Sequence, residues 1–215
     1  MLFRPFRVNE AWWAAGGALA LVLARAVSPH DAGAALARGL DVYLFLIGMM
    51  ALAEFARAEG VFDWLATRAV RAADGSRSRL LLLVYGTGIA TTAFLSNDAT
   101  IVVLTPAVLD AMRRTDARPH AYVFACALVA NAASFVLPIA NPSNLLFFAH
   151  GMPPLGAWLA SFGLASVASI ALTYAALAWL FRRDVRAPLA VRDGVAPPPR
   201  ALAAVVLIAA ALALI

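Results

Sequence analysis

Apolar residues in this chain gather in long runs, not in the short alternating or one-faced patterns of a soluble strand or helix. The first run extends from Ala11 to Val27 and the second from Leu40 to Ala56. A third, Leu80 to Met112, is interrupted at Ser96-Asn97-Asp98, and a fourth, Ala121 to Phe148, is interrupted around Pro138 to Asn144. The fifth, Gly156 to Phe181, has no charge, and a sixth starts at Ala201 and reaches Ile215. Runs of this length and polarity predict helices that cross or enter a bilayer. The segment Val61 to Ala73 is different in kind. Phe62, Leu65, Ala66 and Ala69 share one face while Arg68 and Arg71 sit on another, which predicts an amphipathic helix in the cytoplasmic interface. Along the fifth run Ser161, Ala165, Ser169 and Thr173 recur every four residues, a small-residue row suited to close helix packing.

Composition strengthens this picture. Of the 215 residues, 63% are hydrophobic and 13% charged, against roughly 25% charged in a soluble domain. Mean hydropathy is +0.83. The net charge of +5 comes from 17 arginines and no lysine. They cluster between the apolar runs rather than along one face, so they mark loops retained in the cytoplasm and not a nucleic-acid footprint. Four clusters lie at Arg4 and Arg7, at 57–79, at 113–118 and at 182–200, which leaves Arg25 and Arg38 for the other side. The N-terminus is therefore expected in the cytoplasm, and the first run, which has no polar cleavage region, is expected to stay as a helix rather than leave as a signal peptide. The single cysteine, Cys126, lies within an apolar run and reads as packing.

The orientation constrains the third run. Arg79 and Arg113 fall on one side, so the chain between them must enter and return. Its arms, Leu80–Leu95 and Ala99–Met112, extend about 24 and 21 Å as helix, short of a hydrocarbon core about 30 Å thick. A re-entrant hairpin entering from the cytoplasm fits, with its tip at Ser96-Asn97-Asp98; two short tilted spans are the alternative. In the fourth run Pro138 and Pro142 remove backbone donors. Unpaired backbone at membrane depth is tolerated only beside protein or water, so this break is expected to border a cavity. The expected fold is an all-α integral membrane protein with a re-entrant helical hairpin and a proline-broken transmembrane helix.

Candidate chemistry lies at the two interruptions. At the first stand Ser96, Asn97, Asp98 and Thr100; a carboxylate at membrane depth costs several kcal/mol unless paired, hydrated or protonated. The plainer alternative is that Ser96 or Asp98 only caps the second arm. At the second stand Asn131, Ser134, Asn141, Ser143 and Asn144. Two broken helices with polar tips point to the binding site of a secondary transporter. Elsewhere, Glu54 is expected to pair with Arg57 three residues on, and Asp41 and Asp110 to be interfacial. His30, His120 and His150 lack zinc-enzyme spacing, and Gly86-Thr87-Gly88 lacks a dinucleotide loop's third glycine. No enzyme constellation, metal site or cofactor motif is visible.

Gly48-Met49-Met50, Glu59 to Ala66, Phe94-Leu95-Ser96-Asn97-Asp98-Ala99-Thr100 with Leu104-Thr105-Pro106, Asn131 to Ser134, Leu137 to Asn144 and Phe181 to Val185 occur in order. On these motifs the chain resembles the arsenical pump membrane protein (ArsB-type arsenite efflux) family of the ion-transporter superfamily. The resemblance implies one inverted-repeat half, residues 1–200, with spans near 11–27, 40–57, 120–149 and 156–181, the hairpin 80–112 and a cytoplasmic linker 182–200. A further helix would begin at 201–215. It implies export of arsenite or antimonite across a bacterial inner membrane in exchange for protons; within that reading Asp98, the carboxylate at the first interruption, is expected to couple the proton. A soluble ATPase partner and a homodimer are compatible with it. Family members are about twice as long, which predicts that this chain is a fragment. A sodium/proton antiporter, an organic-anion carrier of the dicarboxylate or citrate kind, and a non-transporting assembly subunit are the alternatives; an ionised Asp98 would repel a dicarboxylate.

Overall fold

The computed structural model describes residues 10–148 and 151–190, and within them the secondary structure is helical. The expected helix at 201–215, Arg4, Arg7 and His150 lie outside the described residues. The chain divides into two compact units, 1–44 and 45–215. In the first, α1 (Glu10–Leu23) is followed by α2 (Pro29–Arg38). The start of α2 has a local cause: Ser28 accepts from the Asp31 N–H at 3.0 Å, and Pro29 occupies a position whose missing N–H is not needed. α2 was not expected from the run pattern, because its composition is too polar for a run. α3 (Leu40–Ala58) passes across the division, and near its end Arg57 forms a bidentate pair with Glu54, as the spacing predicts.

In the second unit α4 (Val61–Ala72) buries Val61, Phe62, Ala66, Ala69 and Val70 against α5 (Arg77–Phe94) and α7 (Thr105–Met112). The central pair is α5 and α8 (His120–Ala132), with α10 (Leu155–Leu180) packed on α8. α10 is the one described helix that is long and apolar enough by itself to cross a membrane. Its packed row is Trp158, Phe162, Ser166, Ile170, Tyr174 and Leu177, while Ser161, Ala165 and Ser169 are exposed. The inward row is thus displaced by one position from the small-residue row. Its larger side chains give the better contacts: the Tyr85 hydroxyl donates to the Ile170 carbonyl at 2.9 Å, and the Tyr85 and Tyr174 rings lie 5.3 Å apart.

The stretch 77–112 doubles back. α5 ends at Phe94, Ser96 turns the chain, and α6 (Asn97–Ala99), a π-helical turn (Thr100–Leu104) and α7 form the second arm. The π turn precedes Pro106, which has no N–H for the carbonyl four residues back. Widening the turn lets both the backbone N–H and the hydroxyl of Thr105 reach the Thr100 carbonyl, the latter at 3.0 Å. The two ends of the stretch meet, because Arg77 donates to the Asp116 carboxylate at 2.8 Å.

That end of the bundle is closed by a clasp with no local sequence signature. Beyond α11 (Arg182–Val185) the chain returns as an extended segment, and Leu189 N–H donates to the Gly75 carbonyl at 2.7 Å. Ala190 N–H donates to the Asp116 carboxylate at 2.9 Å, and Asp116 N–H to the Ala190 carbonyl at 3.1 Å. Arg77, largely buried, also reaches the Asp184 carbonyl at 3.5 Å. The Ala190 N–H and the Arg77 guanidinium hold the Asp116 carboxyl below the ordinary carboxylate range. The first residues of the expected linker are therefore fixed to both ends of the hairpin.

Two substitutions test this packing. At Gly88 of α5 an added Cβ would collide with Cγ1 of Val129, a fully buried α8 residue. Alanine gains about 1 kcal/mol in helix propensity, but overpacking against a β-branched side chain costs about 1–3 kcal/mol. G88A should lower the thermal unfolding midpoint in detergent, and V129A in the same chain should recover part of the loss; an unchanged midpoint in G88A would contradict the close approach. Ser96 has φ +137° and ψ 162°, a region open essentially to glycine alone, at a cost of about 1–3 kcal/mol. Its hydroxyl caps the second arm, accepting from Ala99 N–H at 3.2 Å. S96G relieves the strain and sacrifices only a few tenths of a kcal/mol of capping, so it should raise the midpoint, whereas S96A keeps the strain, loses the cap and should lower it.

Candidate solute site at two helix breaks

The first break is built on hydroxyls. Ser96 is buried, and its carbonyl accepts from the Thr100 N–H and hydroxyl, both at 3.3 Å. Thr100 is fully buried, and its hydroxyl meets that of Thr92 at 2.8 Å. These groups join the two arms and are used internally. Asn97 is partly buried, with its Oδ1 enclosed and without a hydrogen-bond partner. Asp98 is exposed, one residue beyond it. Ser96 supplies the cap, so Asp98 is not needed for one.

The second break runs from the end of α8 to α9 (Pro142–Phe147), through a 3-10 turn at Pro138–Ala140. Each carbonyl it releases at 130, 134, 135 and 138 finds a side-chain donor. Ser134 donates to Ala130 at 2.7 Å, and the Asn144 amide donates to Ser134 at 2.8 Å and to Pro138 at 3.3 Å. The Trp158 indole donates to Phe135 at 3.0 Å, inside an aromatic group of Phe135, Phe148, Trp158 and Phe162. Asn141 caps α9 by accepting from Ser143 N–H at 2.9 Å. Ser143 is exposed, as is Asn131, whose amide donates weakly to Ala127 at 3.3 Å.

The structure thus sorts the nine predicted residues. Ser96, Thr100, Ser134, Asn141 and Asn144 satisfy backbone or one another. Asn97 Oδ1, Asp98, Asn131 and Ser143 keep polar capacity to offer a solute. The breaks belong to one packing arrangement, since α6 lies against α8 and the Pro138–Ala140 turn lies against α5. Thr92, Thr105 and Trp158 were missed. Thr91-Thr92, two adjacent hydroxyls in an apolar run, was a usable signal; the indole donor of Trp158 was not, because its target lies 23 residues away. No group of three or more His, Cys, Asp or Glu able to hold a metal occurs among the described residues, and Cys126 is buried, as expected of a packing residue.

An uncharacterized transporter of Mycobacterium tuberculosis is 28% identical over 148 residues, which is 68% of this chain and 34% of the relative. A Bacillus subtilis protein provisionally named an arsenical pump membrane protein is 28% identical over 149 residues, again 68% and 34%. An Escherichia coli inner membrane protein is 29% identical over 103 residues, 48% of this chain and 27% of the relative. The chain thus spans only about a third of the length of these curated relatives. No solved structure matches. The resemblance to arsenical pump proteins is borne out at the level of such relatives. A family model described as citrate transporter matches residues 1–215, and this all-helical membrane protein belongs to that CitMHS family of transporters.

Proposed function

We propose that the chain is the N-terminal repeat of an inner-membrane secondary transporter that exports arsenite or antimonite in exchange for protons. The observation that carries this reading is the charge pattern at the two breaks. No arginine or histidine falls within 86–112 or 121–148, while Asp98 stands exposed beside the unpartnered Oδ1 of Asn97. A di- or tricarboxylate brought there meets a carboxylate and no compensating cation. Arsenous acid is a neutral tri-hydroxy solute, and Asn97, Asn131 and Ser143 can replace its water hydrogen bonds without a formal charge. Asp98 takes up and releases the coupled proton, while Ser96, Thr100, Ser134, Asn141 and Asn144 hold the breaks open around it. The activity belongs to a complete two-repeat protein.

A carrier of citrate or a related organic anion is the second reading, favoured by the family model that matches the whole chain. It requires a positive charge at the site, from the rest of the protein or a cation carried with the anion. Both readings are tested in everted vesicles containing the full-length protein. Proton-driven arsenite uptake should fall to background in D98N, which keeps the side chain's size and removes its titration, and should persist in C126S. Normal proton-coupled uptake by D98N would remove Asp98 from the mechanism. Citrate uptake without arsenite uptake would select the second reading.

The hairpin is read as re-entrant, with both ends cytoplasmic. Its first arm has 18 residues, about 27 Å of helix, and its ends are joined by Arg77 and Asp116. Ser78 and Arg118 are exposed near those ends. In a C126S background, cysteines at 78 and 118 should both react with a membrane-impermeant maleimide in everted vesicles and stay protected in intact cells. Labelling from opposite sides would overturn the placement of both ends in the cytoplasm.

A further inference from the structure

α4 buries one face, and its other face holds a cavity of about 290 Å³ lined by Trp64, Thr67, Arg68, Arg71 and Ala72. These five described lining positions fall on one side of α4. Arg68 and Arg71 are exposed, and among the described residues neither has a carboxylate within ion-pair distance. Arg68 lies over the Trp64 ring at 5.9 Å, which directs its guanidinium along the cavity wall. Asp63, the acidic residue of α4, lies within electrostatic reach of Arg57 instead. Two guanidinium forks and a threonine hydroxyl match the oxygens of a phosphate ester, whereas a lone ammonium would offer only a point charge.

The position of α4 selects the source of that phosphate. It is tied by short turns to α3 and α5, at the end of the second unit where the arginine clusters collect. By the arginine bias this is the cytoplasmic face. An indole beside arginines is the side-chain set of a bilayer interface, with the ring at the glycerol level and the charges at the headgroup. We propose that this cavity binds the phosphate headgroup of an anionic phospholipid from the cytoplasmic leaflet. The site is separate from the two helix breaks and does not depend on which solute is carried.

The test uses the full-length protein in phosphatidylcholine nanodiscs doped with a photo-crosslinkable phosphatidylglycerol, with the labelled peptides read by mass spectrometry. Label should concentrate on the peptide containing 64–72. R68A/R71A removes two exposed side chains that do not enter the core, and should weaken labelling roughly thirty-fold, about fivefold per arginine. R113A/R118A removes the same charge from exposed positions elsewhere and should leave it unchanged. Equal losses in both double variants would overturn the site in favour of general surface charge. Equal labelling by a crosslinkable phosphatidylcholine would reduce it to an apolar contact, and displacement by inorganic phosphate would assign it to a soluble anion; either result overturns the proposal. The readout does not involve transport, so it stands or falls independently of the arsenite reading.

Discussion

A helix interrupted inside an apolar bundle releases carbonyls and N–H groups that neither lipid nor hydrocarbon side chains can satisfy, at about 1–3 kcal/mol for each group left unpaired. Two such interruptions occur in this protein, one with α6 against α8 and the other with its 3-10 turn against α5, and their neighbourhood is arranged around that cost. Ser134, Asn144 and Trp158 each place a donor on a carbonyl that the regular ladder no longer serves, while the Thr100 and Thr105 hydroxyls add a second bond to carbonyls that a backbone N–H also reaches. The donors are short or rigid side chains, which lose little rotamer entropy when fixed. Asn144 serves two carbonyls from α9, so that helix is held to the end of α8 by the same bonds that make the break tolerable.

This requirement separates structural polarity from available polarity. Sequence density alone made all nine polar residues at the breaks candidates, and only Asp98 stood apart by its charge. Once the carbonyls are satisfied, the groups left over are an enclosed amide oxygen at Asn97, an exposed carboxylate at Asp98, and the side chains of Asn131 and Ser143. Ser96 marks the boundary between the two sets. Its backbone is strained, its hydroxyl is a cap, and it sets the direction in which Asn97 and Asp98 leave the first arm. Strain of that kind persists only where the surrounding structure over-determines it, and here the Thr92–Thr100 bond and the Ser96 cap close the loop from both sides.

Much of the architecture was legible because bilayer-scale hydrophobicity writes directly into the sequence. The runs at 11–27, 40–56, 80–112, 121–148 and 156–181 each contain helix, of which α10 alone among the described helices is by itself long and apolar enough to cross a membrane, and α4 differs from its predicted bounds by one residue. Both interruptions also fall where the polar clusters and prolines put them. α2 was overlooked for a physical reason: Pro29–Arg38 carries no apolar run, and only the Ser28 cap and Pro29 announce it. The clasp was invisible for another. Arg77, Asp116 and Ala190 are 39 and 74 residues apart in sequence, and no local periodicity encodes a meeting over that separation. The inward row of α10 was misplaced by one position because small residues were weighed above the aromatic contacts that α8 and the second break offer.

The clasp changes what the hairpin can be mechanically. With Arg77 and Asp116 bonded across its base, and residues 189–190 bonded to both sides of that base, the ends of the two arms cannot separate without breaking several hydrogen bonds together. The tip is held differently, by a hydroxyl pair, a cap and a π turn, with Asp98 outside the bonded set. Both ends of the hairpin are thus fixed, and what remains free at the tip is side-chain polarity at Asn97 Oδ1 and Asp98 rather than backbone.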